Sequence, residues 1–147
     1  MPAAHRCDPA AAGRPNGYCL LYPAAYAPVY LPDGAVELVS QSMMNHTDPL
    51  VSISVEEANG RTLEQVATEW EALYAHQGID TARGYITVDG VEAVMLDNLP
   101  GQDLNRRAVL VRNGRIYSFF FTPLGDAGEA LSNMEAFYQG ILNSFRF

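Results

Sequence analysis

The sequence contains no lysine, and all 9 of its basic residues are arginines. This absence excludes Schiff-base catalysis and a Walker-type phosphate loop, because both depend on a lysine amine. The 17 acidic residues leave a formal net charge of −8, which repels phosphate backbones and anionic membrane surfaces. We therefore expect no nucleic-acid partner and no electrostatic attachment to a membrane.

Long apolar runs are also missing. No stretch approaches the roughly 18 residues of a membrane-spanning helix, and the N-terminus lacks the apolar core of a signal peptide. We therefore expect no direct membrane insertion of this segment. Either the protein is cytosolic, or the segment is an excised domain of an exported chain that lacks its signal. The start at Met1 and the end at Phe147, directly after a helical pattern, favour the excised domain.

Cysteine is scarce, with only Cys7 and Cys19. Their spacing matches no zinc or redox motif. A disulfide across the intervening turn-rich loop would stabilise the fold by ~3 kcal/mol in the chain-entropy model, and the alternative is two buried free thiols. The polar, proline-flanked surroundings of Cys7 favour the disulfide. We therefore predict an oxidising, extracytoplasmic compartment, with residues 1–16 as an irregular arm tied by a Cys7–Cys19 disulfide.

The remaining residues, 17–147, have the pattern of a single domain. Residues 50–57 alternate between apolar and polar side chains, which predicts a strand with one polar face. Asp89-Gly90 and Asn113-Gly114 each separate two β-runs and predict two-residue hairpin turns. The second hairpin should pair Val111 with Ile116.

Two amphipathic segments predict helices at residues 62–76 and 127–145. Thr62 and Gln65 have the spacing of a capping box at the start of the first helix. The strand Arg115–Pro123 is apolar on both sides, which indicates a sheet covered on both faces. We therefore predict an α+β fold, a three-layer α/β/α sandwich with a central, mainly antiparallel sheet and two main helices.

The order of these elements resembles the PsbP-like family. The resemblance lies in residues 17–23 followed by Tyr26, residues 90–93, residues 115–117 and the aromatic closing stretch 137–147. Two features depart from it: Tyr26 stands where relatives often have Trp, and a Cys7–Cys19 pair resembles only some bacterial extracytoplasmic members.

Membership of this family implies the sandwich fold shared by photosystem II extrinsic subunits, a Ran-binding nuclear transport factor and many bacterial lipoprotein or secreted domains. It implies a binding or accessory module rather than an enzyme. It brings no shared catalytic residues, so we assign none.

Candidate binding residues lie in and beside two polar loops, residues 45–49 and residues 101–107. If the two hairpins are adjacent, Asp97, Asn98, Asp103 and Arg106 cluster at one end of the sheet. Arg106 and Arg107 could hold a carboxylate or phosphate. The residues proposed for the site are Asp97, Asn98, Asp103, Arg106, Arg107, His46 and Asp48.

The main functional hypothesis is a non-enzymatic accessory or binding module of an exported bacterial protein. Its expected partner is another protein or other domains of the same chain, with no cofactor and no metal site assigned. An alternative is a small-molecule or metal-ion binding protein with a pocket between helix and sheet, lined by Trp70 and the tyrosines. A weaker alternative is a hydrolase that uses His46 and Asp48.

Overall fold

A computed structural model describes residues 2–4, 17–40, 49–75, 80–100, 104–122 and 128–147, with the backbone alone at 2–4 and 128–133. The chain forms two helices and nine strands over these ranges. The strands are β1 (Pro2–Ala4), β2 (Leu21–Pro23), β3 (Tyr26–Tyr30), β4 (Val36–Ser40), β5 (Leu50–Glu57), β6 (Ala82–Val88), β7 (Val91–Leu99), β8 (Asn105–Arg112) and β9 (Arg115–Thr122). The helices are α1 (Leu63–Tyr74), between β5 and β6, and α2 (Gly128–Ser144), after β9.

Seven strands form one antiparallel sheet in the order β3-β4-β5-β9-β8-β7-β6. Both predicted hairpins are present, and Val111 pairs with Ile116 as expected. Their turns have positive φ at both central residues, 46° and 78° at Asp89-Gly90 and 51° and 75° at Asn113-Gly114. Positive φ at both positions is the geometry of a type I′ turn, so these short sequences determine the local register.

Helices lie against both faces of the sheet, which confirms the predicted α+β sandwich. We call the face that packs on α2 face A and the opposite one face B. On face A, Phe119 and Phe121 pack with Tyr138 and Phe145. On face B, residues of β7, β8 and β9 pack with Val66 of α1. The doubly apolar pattern of β9 thus arises because its alternate side chains enter two different cores.

Coverage of face B is only partial. Helix α1 contacts β7 and β8, and the face-B side chains of β5 near the middle of the sheet are serines rather than core residues. Ser52 pairs with Phe120 and Ser54 pairs with Ser118 across the β5–β9 ladder. The polar half of the alternation in β5 therefore marks a part of the sheet that α1 does not cover.

Several predicted boundaries differ from the observed ones. Pro2–Ala4 form a strand paired with β2, so this part of the N-terminal arm is not irregular as predicted. The strand expected at residues 18–22 is instead Leu21–Pro23, and Cys19 forms an isolated bridge with Arg146. Two prolines in the β1–β2 pair explain the error, because proline tolerates only edge or terminal strand positions and reads as a loop.

The helix bounds are close to those predicted. The first helix begins after Thr62, whose hydroxyl accepts from the Gln65 backbone N–H at 3.2 Å, while the Gln65 side chain accepts from the Thr62 N–H at 2.9 Å. This arrangement is the predicted capping box. Residues 76–79 and 123–127 lie outside the described residues. They include the expected last residue of the first helix and the expected first residue of the second. Cys7 and the rest of 5–16 also lie outside the described residues.

Candidate functional site

The strand ends that flank the predicted site residues lie at one end of the sheet. Leu50, the first residue of β5, pairs with Thr122, the last of β9, and Arg106 pairs with Phe121. Leu99, at the end of β7, pairs with Asn105. The adjacency of the two hairpins, on which the predicted cluster depended, is therefore present. Three proposed site residues, His46, Asp48 and Asp103, lie outside the described residues.

The fold brings together Asp97, Asn98 and Arg106, but each of these residues has a structural role. The Arg106 guanidinium donates to Asp97 Oδ1 at 2.6 Å and to Asp97 Oδ2 at 3.0 Å, and to the two carboxylate oxygens of Glu135 at 2.7 and 2.8 Å. Asn98 has a φ of 62° at the irregularity in the β7–β8 ladder between Leu96 and Leu99. This is the left-handed conformation that asparagine tolerates at a bulge.

The Arg106 cluster connects β7, β8 and α2 on face A. The Arg106 side chain is only 8% exposed. Burial lowers the pKa of its guanidinium, but the hydrogen bonds that it donates to Asp97 and Glu135 outweigh burial and hold the pKa above its ordinary value. Four of the five donors of an arginine side chain are used within the protein, so Arg106 has little capacity left for a ligand.

Arg107 differs from Arg106 because successive residues of a strand point to opposite faces. On face B its guanidinium carbon lies 5.2 Å from the ring centre of Trp70 and 4.8 Å from that of Phe120. Its Nε is buried and has no hydrogen-bond partner among the described residues. Cation–π contacts with two rings hold the guanidinium in place without using its N–H donors.

Arg107 is unusual among the described arginines because it has no carboxylate partner within the described residues. Within the described ranges, five arginines form ion pairs with acidic side chains, namely Arg61, Arg83, Arg106, Arg115 and Arg146. Over the same ranges Arg107 and Arg112 form none. Arg112 lies 4.0 Å from the ring centre of Phe147. Of these two, Arg107 lines a concavity.

That concavity, which we call the Arg107 cleft, is open to solvent and has a volume of about 270 Å3. Its floor is the part of face B that α1 leaves uncovered, and Leu31, Asp33 and Ala35 form one side. The cleft combines hydroxyl groups, one aromatic ring, one guanidinium and, with Asp33, two carboxylates. The other residues with these groups are Glu37, Ser52, Ser54, Arg107, Ser118 and Phe120.

Sequence reasoning identified Arg107 but missed the other residues that line the cleft. The alternation of residues 50–57 identifies Ser52 and Ser54 only as the polar side of β5, and no sequence pattern described above singles out Ser118. The signal that could have found them is the cross-strand register, which aligns Glu37, Ser52, Phe120 and Arg107 in one row. In the part of the chain that the structure describes, no group of three His, Cys, Asp or Glu side chains is arranged to hold a metal ion.

Comparison with known proteins supports the fold alone. No protein-family model matches the sequence, and no curated protein matches it. The solution structure of cyanobacterial PsbP (CyanoP) from Synechocystis sp. PCC 6803 aligns with a TM-score of 0.62 over 90% of this chain and 88% of that chain, at 16% identity. The chain has a PsbP-like fold. A PsbP-like fold at this low identity does not transfer a ligand or a partner.

Among the described residues, neither helix has the length and apolar character needed to cross a bilayer.

Proposed function

We propose that this PsbP-like domain is a non-enzymatic binding module and that it binds through the Arg107 cleft. The observation that carries the proposal is the state of Arg107. This guanidinium is held between Trp70 and Phe120, has no carboxylate partner among the described residues, and faces an open cleft. A preorganised cation of this kind binds an anionic group with little loss of side-chain entropy.

The cleft favours a small ligand, one of the alternatives that the sequence left open. Its volume of about 270 Å3 is slightly below the roughly 300–1,000 Å3 of pockets that take drug-sized molecules. The small-molecule hypothesis expected a pocket between helix and sheet lined by Trp70 and the tyrosines. Trp70 contacts the Arg107 guanidinium, but neither Trp70 nor a tyrosine is among the described residues that line the cleft. A protein partner or another domain of the same chain would then contact the nearby sheet end, where the strands that flank His46, Asp48 and Asp103 terminate.

The cellular setting is part of the same proposal. We propose that the domain belongs to an exported bacterial protein and that a Cys7–Cys19 disulfide ties the N-terminal arm. Cys19 is buried at 3% exposure beside Arg146, in a position where a covalent link would connect the arm to the C-terminal part of the domain. The resemblance to bacterial extracytoplasmic members supports this setting.

A thermal-shift screen tests binding through the cleft. We expect some small organic acids or zwitterions to stabilise the wild-type protein, since a ligand at 100 times its Kd adds about 2.7 kcal/mol, or roughly 5–10 °C. Arg107→Met should abolish this stabilisation because it removes the charge but keeps an apolar side chain between the two rings. Arg112→Met is the matched control, since Arg112 also lies on an aromatic ring and has no acidic partner among the described residues.

The control should respond like the wild type. A library without a stabilising member, or stabilisation that persists in Arg107→Met, would contradict the proposal.

A further inference from the structure

Opposite charges line the Arg107 cleft, namely the Arg107 guanidinium and the carboxylates of Asp33 and Glu37. Among the described residues, neither Arg107 nor Glu37 forms an ion pair. They belong to one cross-strand row in which Glu37 pairs with Ser52, Ser52 with Phe120, and Phe120 with Arg107. The two charges therefore face one cleft from opposite sides.

The strand positions of the two charged residues are well separated, and no ion pair joins Arg107 to Glu37. Neighbouring strands lie about 4.8 Å apart, so three steps place the Cα atoms of Glu37 and Arg107 about 14 Å apart. The Arg107 guanidinium lies over Phe120 at 4.8 Å from its ring centre. It is thus about two strand spacings, or roughly 10 Å, from the position of Glu37.

From this arrangement we infer that the cleft binds a small peptide-like zwitterion, with its carboxylate on Arg107 and its ammonium group on Glu37. The inference rests on the proposed function of the cleft and specifies its ligand. An extended chain of three residues spans at most about 10 Å, which is comparable to the distance between the guanidinium and the strand position of Glu37. Ser52, between them, can donate to or accept from the peptide groups of such a ligand.

Charge complementarity selects this ligand over a polyanion. Glu37 and Asp33 both line the cleft, and the protein carries a net charge of −8. A phosphate dianion bound at Arg107 would meet these carboxylates with unfavourable Coulomb energy, whereas the positive end of a zwitterion is attracted to them. A simple monocarboxylate would leave Glu37 without a partner and should bind more weakly.

Calorimetric titration with trialanine tests the inference. We expect wild-type protein to bind trialanine at least tenfold more tightly than either N-acetyl-trialanine or trialanine amide, since each analogue lacks one of the two charges. Arg107→Met should weaken trialanine binding at least tenfold, and Glu37→Gln should remove most of the preference for trialanine over its N-acetyl form. Arg112→Met should bind trialanine like the wild type.

The outcomes separate the ligand class from the site. Equal affinity for trialanine and N-acetyl-trialanine overturns the zwitterion, as does no binding of trialanine. If other ligands from the thermal-shift screen still depend on Arg107, binding through the cleft stands without the zwitterion. Trialanine that binds wild type and Arg107→Met equally contradicts both.

Discussion

Replacing Arg106 with alanine is expected to lower the free energy of unfolding by about 3 kcal/mol, because breaking a buried ion pair strands charges without a partner. Arg106 is almost fully buried and forms four hydrogen bonds to Asp97 and Glu135. Its removal takes away the polar link between α2 and the β7–β8 strand pair and leaves two carboxylates close together. Urea unfolding followed by circular dichroism measures the change, with an unchanged m value as the sign that the unfolded state is comparable.

Arg83→Ala provides the matched control. Arg83 also bridges two carboxylates, at 2.7 Å from both Glu64 and Glu71, but Glu64 is 57% exposed. Exposed pairs typically contribute about 1 kcal/mol or less, so this variant should lose no more than that. Adding Asp97→Asn and Glu135→Gln to Arg106→Ala should recover part of the stability. Equal losses in Arg106→Ala and Arg83→Ala would mean that burial adds nothing to the Arg106 cluster.

The second large effect is expected at Phe119, which is 1% exposed. Phe119→Ala should lower the free energy of unfolding by about 4 kcal/mol, since it leaves a cavity in the face-A core. The lost contacts include an edge-on contact with Phe145 at 5.0 Å between ring centres.

Phe120→Ala tests the opposite face at the adjacent position. Phe120 is only half-buried and lies in the Arg107 cleft, so its replacement should lower the unfolding free energy by less than about 2 kcal/mol. We expect it to weaken ligand binding instead, because Arg107 loses one of its two ring contacts. If Phe119→Ala and Phe120→Ala destabilise the protein equally, the distinction between a covered face A and a partly open face B is wrong.

Much of the fold is predictable because its signals are local. The Asp89-Gly90 and Asn113-Gly114 turns require positive φ, which these residues tolerate, and the turns fix the register of two hairpins. The capping box at Thr62 likewise depends on residues three positions apart. Strand β1 was missed because its pairing with β2 connects distant parts of the chain and involves prolines.

The candidate site was harder to predict because it depends on long-range packing. Strand alternation already implies that Arg106 and Arg107 face opposite sides of the sheet. The prediction that both arginines hold the same carboxylate or phosphate did not take this into account. The sequence does not reveal that Glu135 reaches Arg106 from α2, or that α1 stops short of β5. The ion pair between Glu135 and Arg106 and the limited reach of α1 together decide which arginine remains available to a ligand.

Amide NMR of the 15N-labelled protein during titration with trialanine tests binding through the Arg107 cleft most directly. The largest chemical-shift changes should occur at Ser52, Arg107 and Ser118, on face B. The amides of α2 around Glu135, on face A, should change little. Shift changes concentrated on face A or on the outer surface of α1 would contradict the assignment of the Arg107 cleft as the binding site.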